Sequence, residues 1–143
     1  MDLEQIFSAA TYFTAAGWLV MILMPRNPAV KLLVGIVIPL LLCVSYLILI
    51  ARSLPGADGG FGSLADVATL MQTREVFLAS WIHYLAFDLF IGAWEIRDSQ
   101  RHGIPHLVML PCLVMTFLLG PIGLLFYFAI RTAKIRALKL EEA

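Results

Sequence analysis

Four stretches of the chain stay apolar for about the thickness of a membrane. Residues 6–24 and 32–51 contain no Asp, Glu, Lys or Arg, and each reaches the roughly 20 residues a helix needs to cross about 30 Å of hydrocarbon. Residues 76–94 are interrupted only by His83 and Asp88, and residues 104–130 carry His106 as their sole ionisable group. Barrel strands would alternate with period two over about ten residues, and these unbroken runs do not. The pattern predicts an all-α integral membrane protein: one domain over residues 1–143 with four transmembrane helices.

Breaks in the pattern predict where the helices are irregular. Pro39 falls mid-way along the second span and Pro111 inside the fourth, which also holds Gly120-Pro121-Ile122-Gly123, so both spans are expected to be kinked, the fourth kinked or split. Its 27 residues also exceed one crossing at about 1.5 Å per residue. Between spans two and three, residues 54–62 are rich in turn formers. Ser63-Leu64-Ala65-Asp66 then offers a helix N-cap with a carboxylate three residues on. Leu64, Val67, Ala68 and Met71 recur at helical spacing, which predicts a short interfacial amphipathic helix over residues 63–72.

Composition agrees with a lipid-solvated chain. Of 143 residues, 61% are hydrophobic and 14% charged, with a mean hydropathy of +0.89; soluble domains run nearer 45–50% apolar and about 25% charged. Membrane lipid is thus the first expected partner. Ten basic and ten acidic residues cancel, so no polycationic face recommends nucleic acid. Cys43 and Cys112 fall within apolar spans and read as small buried hydrophobes rather than a disulfide or metal site. The N-terminus, with Asp2 and Glu4, lacks the basic region of a signal peptide and the Arg-rich pattern of a transit segment.

Four crossings would put both termini and the 52–74 connection on one side, with Arg52, Arg74, Arg131, Lys134, Arg136 and Lys139. Arg26, Lys31, Arg97 and Arg101 would lie opposite. The positive-inside rule then favours both termini in the cytoplasm, a bacterial cytoplasmic membrane being the expected location.

An ionisable pair inside the third span is the main pointer to chemistry, because a charge at the bilayer centre costs about 2.5–3.5 kcal/mol on insertion scales. At 100° and 1.5 Å per residue, Asp88 and Glu95 lie about 20° apart in azimuth and roughly 10.5 Å along the axis, sharing a stripe with Trp81 and Tyr84. His83 is about 140° from Asp88, on a second stripe with Phe87, Phe90 and Trp94. A third stripe of Ala79, Ala86 and Ala93 suits close packing on a neighbour. Asp88 reads either as a carboxyl bonded to a backbone group freed at a proline, or as an acid able to give a proton to a lipid-soluble substrate. His83 reads equally as an interhelical hydrogen-bonding group.

Glu95, Arg97, Asp98, Arg101, His102 and His106 gather after the third span. The ordinary reading is an interfacial charge network. Glu95 with His102 and His106 is the alternative, a metal set, weakened because Gly103 and Pro105 interrupt the helical spacing of the two histidines. No metal or other cofactor is expected.

Residues 81–90, Trp-Ile-His-Tyr-Leu-Ala-Phe-Asp-Leu-Phe, with Gly92, Asp98, the turn Gly103-Ile104-Pro105-His106 and Gly120-Pro121-Ile122-Gly123, resemble the ABA4-like membrane proteins, whose plant members are neoxanthin synthases. The resemblance is densest from Trp81 to Arg131. It implies a membrane enzyme that isomerises an epoxy-carotenoid without net redox change, and hence without a nicotinamide or flavin. Carried onto this chain, it implies Asp88 as the acid opening an epoxide, with His83 as the base and Glu95 as the third catalytic group. Trp81, Tyr84, Phe87, Phe90, Trp94 and His106 would bind a carotenoid or related isoprenoid. The run Trp94-Glu95-Ile96-Arg97-Asp98 looks like a bacterial branch, for which neoxanthin itself is not the implied product. A non-catalytic pigment-binding or assembly protein, a homo-oligomer and, further off, a small proton-coupled transporter are the alternative readings.

Overall fold

The computed structural model describes residues 2–135, and those residues are helical with no strand among them. Helix α1 (Leu3–Leu23) starts at a reciprocal cap: Asp2 accepts from the Glu4 N–H at 2.6 Å, and the Gln5 side chain accepts from the Asp2 N–H at 3.1 Å. Helix α2 (Pro28–Leu32) starts at Asn27, whose side chain caps two N–H groups ahead of a proline at the first turn. It runs through a π-helical turn, Leu33–Val37, into α3 (Ile38–Ser53). Then follow α4 (Leu64–Leu70), α5 (Arg74–Arg101), α6 (His106–Leu119) and α7 (Pro121–Ile135).

The irregularity expected at Pro39 takes the form of that π turn, in which the Ile38 N–H reaches back to the Leu33 carbonyl. Proline brings no N–H, and widening one turn ahead of it carries the helix past the gap.

Three helices, Leu3–Leu23, Pro28–Gly56 and Arg74–Arg101, are long and apolar enough to cross a membrane. The fourth expected span is not a single helix. Gly120 takes a positive φ of 45°, a conformation that favours glycine, and Pro121 follows with no N–H to continue the ladder. Leu119 therefore ends α6, Pro121 starts α7, and the two double back on each other. They cross closely where Gly123 packs on the Thr116 backbone, leaving no room for a Cβ.

Helix α5 is the axis of the bundle. Beside it α1 runs parallel, shown by the pairs Arg74–Glu4 at 2.8 Å, Trp81 Nε1 to Thr11 at 3.0 Å and Gln100 to the Pro25 carbonyl at 2.8 Å. The α2–α3 segment runs antiparallel, with Lys31 on Gln100 at 2.6 Å and Tyr46 against His83. The predicted small stripe does pack: Ala79, Ala86 and Ala93 are all buried, and Ala93 lies against Gly35. Gly92 lets the Trp18 indole rest directly on the α5 backbone, where any Cβ would overlap the ring.

The hairpin descends and returns along the same helix. His106 meets the Ile22 carbonyl at 2.9 Å, Thr116 meets Glu95, Gly120 meets Asp88, and Arg131 comes back to Asp98. Its tip thus stops near the middle of α5. Arg131 lies 24 positions along α5 from the Arg74–Glu4 pair, roughly 36 Å away, so the two ends of the described chain lie at opposite ends of α5. The expectation that both termini share a side fails at this point, because it required α6 and α7 to be one crossing. Among the described residues Arg26, Lys31, Arg97, Arg101, Arg131 and Lys134 collect at one end. Asp2, Glu4, Asp58, Asp66 and Glu75, with Arg52 and Arg74, collect at the other. Arg136 and Lys139 lie outside the described residues.

One smaller expectation also changes. In α4, Ser63 caps as predicted, its hydroxyl accepting from the Asp66 N–H at 3.1 Å; α4 rests on the protein through buried Leu70 and leaves Leu64 outward, 86% exposed. Cys112 is buried as expected, but Cys43 is exposed on the outside of α3.

Candidate functional site

The stripe Trp81, Tyr84, Asp88 and Glu95, extended one turn to Asp98, is the face of α5 that receives the hairpin. At 100° per residue these positions stay on one side of the helix, and α6 and α7 bring a polar partner to most of them. Glu95 is fully buried, and both its carboxylate oxygens lie 3.0 Å from the Thr116 hydroxyl. One hydroxyl proton cannot satisfy two oxygens at once, so it is shared between them. Asp98 holds the returning helix of the hairpin, α7: its Oδ2 accepts from Arg131 Nε at 2.7 Å and from the Tyr127 hydroxyl. His102 Nδ1 lies 3.5 Å from the same oxygen.

Asp88 is different. It is half-buried near the midpoint of α5, with the Gly120 backbone pressed against it: a Cβ built on Gly120 would stand 2.9 Å from Asp88 Oδ1. Its Oδ2 is buried and has no hydrogen-bond partner among the described residues. Leaving a buried acceptor unpaired costs about 1–3 kcal/mol, more when it is charged. Tyr84, one turn away, directs its hydroxyl to the Leu118 and Phe117 carbonyls at 3.4 and 3.5 Å, the frayed end of α6 whose carbonyls have no helical donor.

His83 does not join this site. It is exposed on the other side of α5, with its ring against Phe87 at 4.5 Å and Tyr46 at 5.7 Å, as the 140° offset requires. Phe87 and Phe90 line a separate apolar groove of about 230 Å³ against Ile36, Pro39, Leu40 and Cys43 of the α2–α3 segment. Trp94 parts from that stripe and packs on Tyr127 and Phe128 of α7. The residues expected to bind substrate are therefore split: Trp81 and Tyr84 precede Asp88 on its stripe, Phe87 and Phe90 face α3, Trp94 braces the hairpin, and His106 ties α6 to α1.

Glu95, His102 and His106 are not assembled into a metal site. Thr116 occupies Glu95, the Asp98 carbonyl lies 2.8 Å from His102 Nδ1, and the Ile22 carbonyl engages His106. Among the described residues no three His, Cys, Asp or Glu side chains are grouped to hold a metal ion.

Sequence reasoning placed Asp98 in a surface network and passed over Thr116, Tyr127 and Arg131. A signal was present in α7: Gly123, Tyr127 and Arg131 recur every four residues, so a small residue, a hydroxyl and a guanidinium share one face.

A family model described as ABA DEFICIENT 4-like matches residues 5–127. The chain belongs to the ABA4-like family. No curated protein and no solved structure matches it. In this ABA4-like protein the matched region takes in nearly all of α1, the whole of α2 to α6 and the first half of α7, hence Asp88, Glu95, Asp98, Thr116 and Tyr127, while Arg131 lies just beyond it.

Proposed function

We propose that this ABA4-like membrane protein is a non-redox isomerase of an epoxidised carotenoid or related isoprenoid, with Asp88 as its acid. The observation that carries this reading is the Asp88 carboxyl, placed at mid-helix with one buried oxygen that has no hydrogen-bond partner among the described residues. A purely structural carboxyl is expected to be hydrogen-bonded, as Asp98 is through its Oδ2 and Glu95 through both oxygens. Protonated Asp88 gives its proton to the epoxide oxygen as the carbon–oxygen bond breaks, and the resulting carboxylate removes a proton from the neighbouring polyene carbon. An alcohol and a cumulated double bond form, Asp88 ends protonated, and no oxidant or reductant is consumed. One carboxyl serving as acid and then base removes the need for His83 on the far face of α5. Glu95, behind its Thr116 bond, fixes the stripe rather than touching substrate.

The test uses protein reconstituted in phosphatidylcholine vesicles with violaxanthin as probe, products being separated by chromatography and weighed by mass spectrometry. Asp88→Asn is expected to lower turnover by a factor of 10² or more, about the contribution of a general acid, and His83→Gln to leave it unchanged. Full turnover by Asp88→Asn sinks the reading.

A second reading has its own support in the groove between α3 and α5, which holds Phe87 and Phe90 away from Asp88: a protein that binds pigment there without converting it. In that case pigment comes off the purified protein unaltered, and Phe90→Glu, not Asp88→Asn, removes it. For orientation, the basic end of α5 is assigned to the cytoplasm and the N-terminus to the opposite side, since the positive charge gathers where α5 ends and α7 returns.

A further inference from the structure

A cavity of about 800 Å³ lies at the basic end of α5, away from Asp88. Its walls are the α1–α2 turn, residues 23–27, and the α5–α6 turn, residues 103–106, with Ser99 and Gln100 of α5 completing the lining. Hydrogen bonds tie these walls together. Gln100 donates from Nε2 to the Pro25 carbonyl at 2.8 Å, its Oε1 accepts from Lys31 Nζ at 2.6 Å, and His106 Nε2 meets the Ile22 carbonyl at 2.9 Å. The cavity is thus the seam at which the foot of the hairpin is fastened to α1 and α2.

The charge around this seam is of one sign. Arg26 lines it and is exposed, Lys31 is bonded to Gln100 of the lining, and Arg97 and Arg101 follow one turn apart on the same end of α5, a spacing at which like charges oppose each other. Among the described residues the ion pairs of this end use Asp98 alone, with Arg131 and His102, so no carboxylate there offsets Arg26, Lys31, Arg97 or Arg101. Asn27 spends its side-chain oxygen on capping α2, which leaves its amide N–H groups as donors. The edge is apolar: Leu23 and Met24 line the cavity and are exposed.

Cations within and exposed apolar side chains at the edge match a phospholipid, whose phosphate lies in the headgroup layer while its chains run on into hydrocarbon. A choline headgroup would add its own cation to this ring; a glycerol headgroup adds none. We infer that the cavity seats the headgroup of one anionic phospholipid, its phosphodiester held by Arg26 between the α1–α2 and α5–α6 turns. The bound lipid then clamps the foot of the hairpin from outside, whatever chemistry takes place at Asp88.

The experiment titrates the detergent-solubilised protein with dioleoyl phosphatidylglycerol or, with the same chains, dioleoyl phosphatidylcholine, and counts retained lipid by native mass spectrometry. One phosphatidylglycerol per chain is expected to be retained in preference to phosphatidylcholine. Arg26→Ala is expected to weaken that retention about fivefold, near what one basic side chain contributes at an anionic membrane surface. Arg52→Ala, at the other end of the bundle, is expected to leave it unchanged. Arg26 is exposed, so its substitution disturbs no packed core. Inorganic phosphate, compared with sodium chloride of equal ionic strength, separates a lipid from a free anion: lipid that stays bound supports the assignment, and lipid displaced by phosphate alone overturns it in favour of a free-phosphate site. Equal retention of the two lipids, or equal losses in Arg26→Ala and Arg52→Ala, overturns the site altogether.

Discussion

Arg131 is the side chain on which the hairpin's return depends, and its removal has a calculable cost. It is 1% exposed, its Nε donates to Asp98 at 2.7 Å, and Asp98 is itself buried at the end of α5. In Arg131→Met the thioether fills much of the guanidinium's space but leaves a buried carboxylate with the Tyr127 hydroxyl as its strongest donor. Breaking such a pair from one side costs about 3–5 kcal/mol, roughly two to four decades in the equilibrium at about 1.4 kcal/mol per tenfold. Replacing both members by apolar side chains removes the stranded charge. Arg131→Met with Asp98→Leu is therefore expected to recover most of the loss, leaving about 1–3 kcal/mol for the Tyr127 hydroxyl that has lost its acceptor. The assay is reversible unfolding of the detergent-solubilised protein by sodium dodecyl sulfate, followed by tryptophan fluorescence, with the two single variants and the double closing a cycle. A single variant within about 1 kcal/mol of wild type would refute the argument. So would a double variant whose loss is the sum of the singles, since that shows the two groups do not act on each other.

Two further outcomes follow from the hairpin, and one from the proposed function. Gly120→Ala is expected to destabilise by about 1–2 kcal/mol, because a positive φ is strained for alanine and its Cβ would press on Asp88 Oδ1; an unfolding midpoint equal to wild type would contradict this. Green fluorescent protein fused after Ala143 is expected to fluoresce in a bacterial host, and alkaline phosphatase inserted at residues 57–60 to be active outside. Four complete crossings would put the two reporters on the same side. Asp88→Asn should stop turnover without removing bound pigment.

The long spans were legible because lipid imposes one requirement, an unbroken apolar run, that needs no knowledge of partners. The acid stripe was legible as well, since 100° per residue places Asp88 and Glu95 together whatever surrounds them. The direction of the chain after Gly120 was not. A proline after a glycine announces a break, but whether the next helix goes on or turns back depends on contacts such as Arg131 with Asp98, 33 residues away. The orientation argument inherited that error, because counting charges by side assumes the crossings are already known. Arg131 was counted only among the charges flanking the membrane because it follows directly on an apolar run. Only a partner on another helix gives it a reason to be buried.

A helical loop that enters and leaves by the same face has a consequence for biogenesis. None of the flanking charges at Arg101, Arg131 or Lys134 has to be carried through hydrocarbon for α6 and α7 to reach their places. The segment can slide in from the side of synthesis once α5 offers its carboxylates.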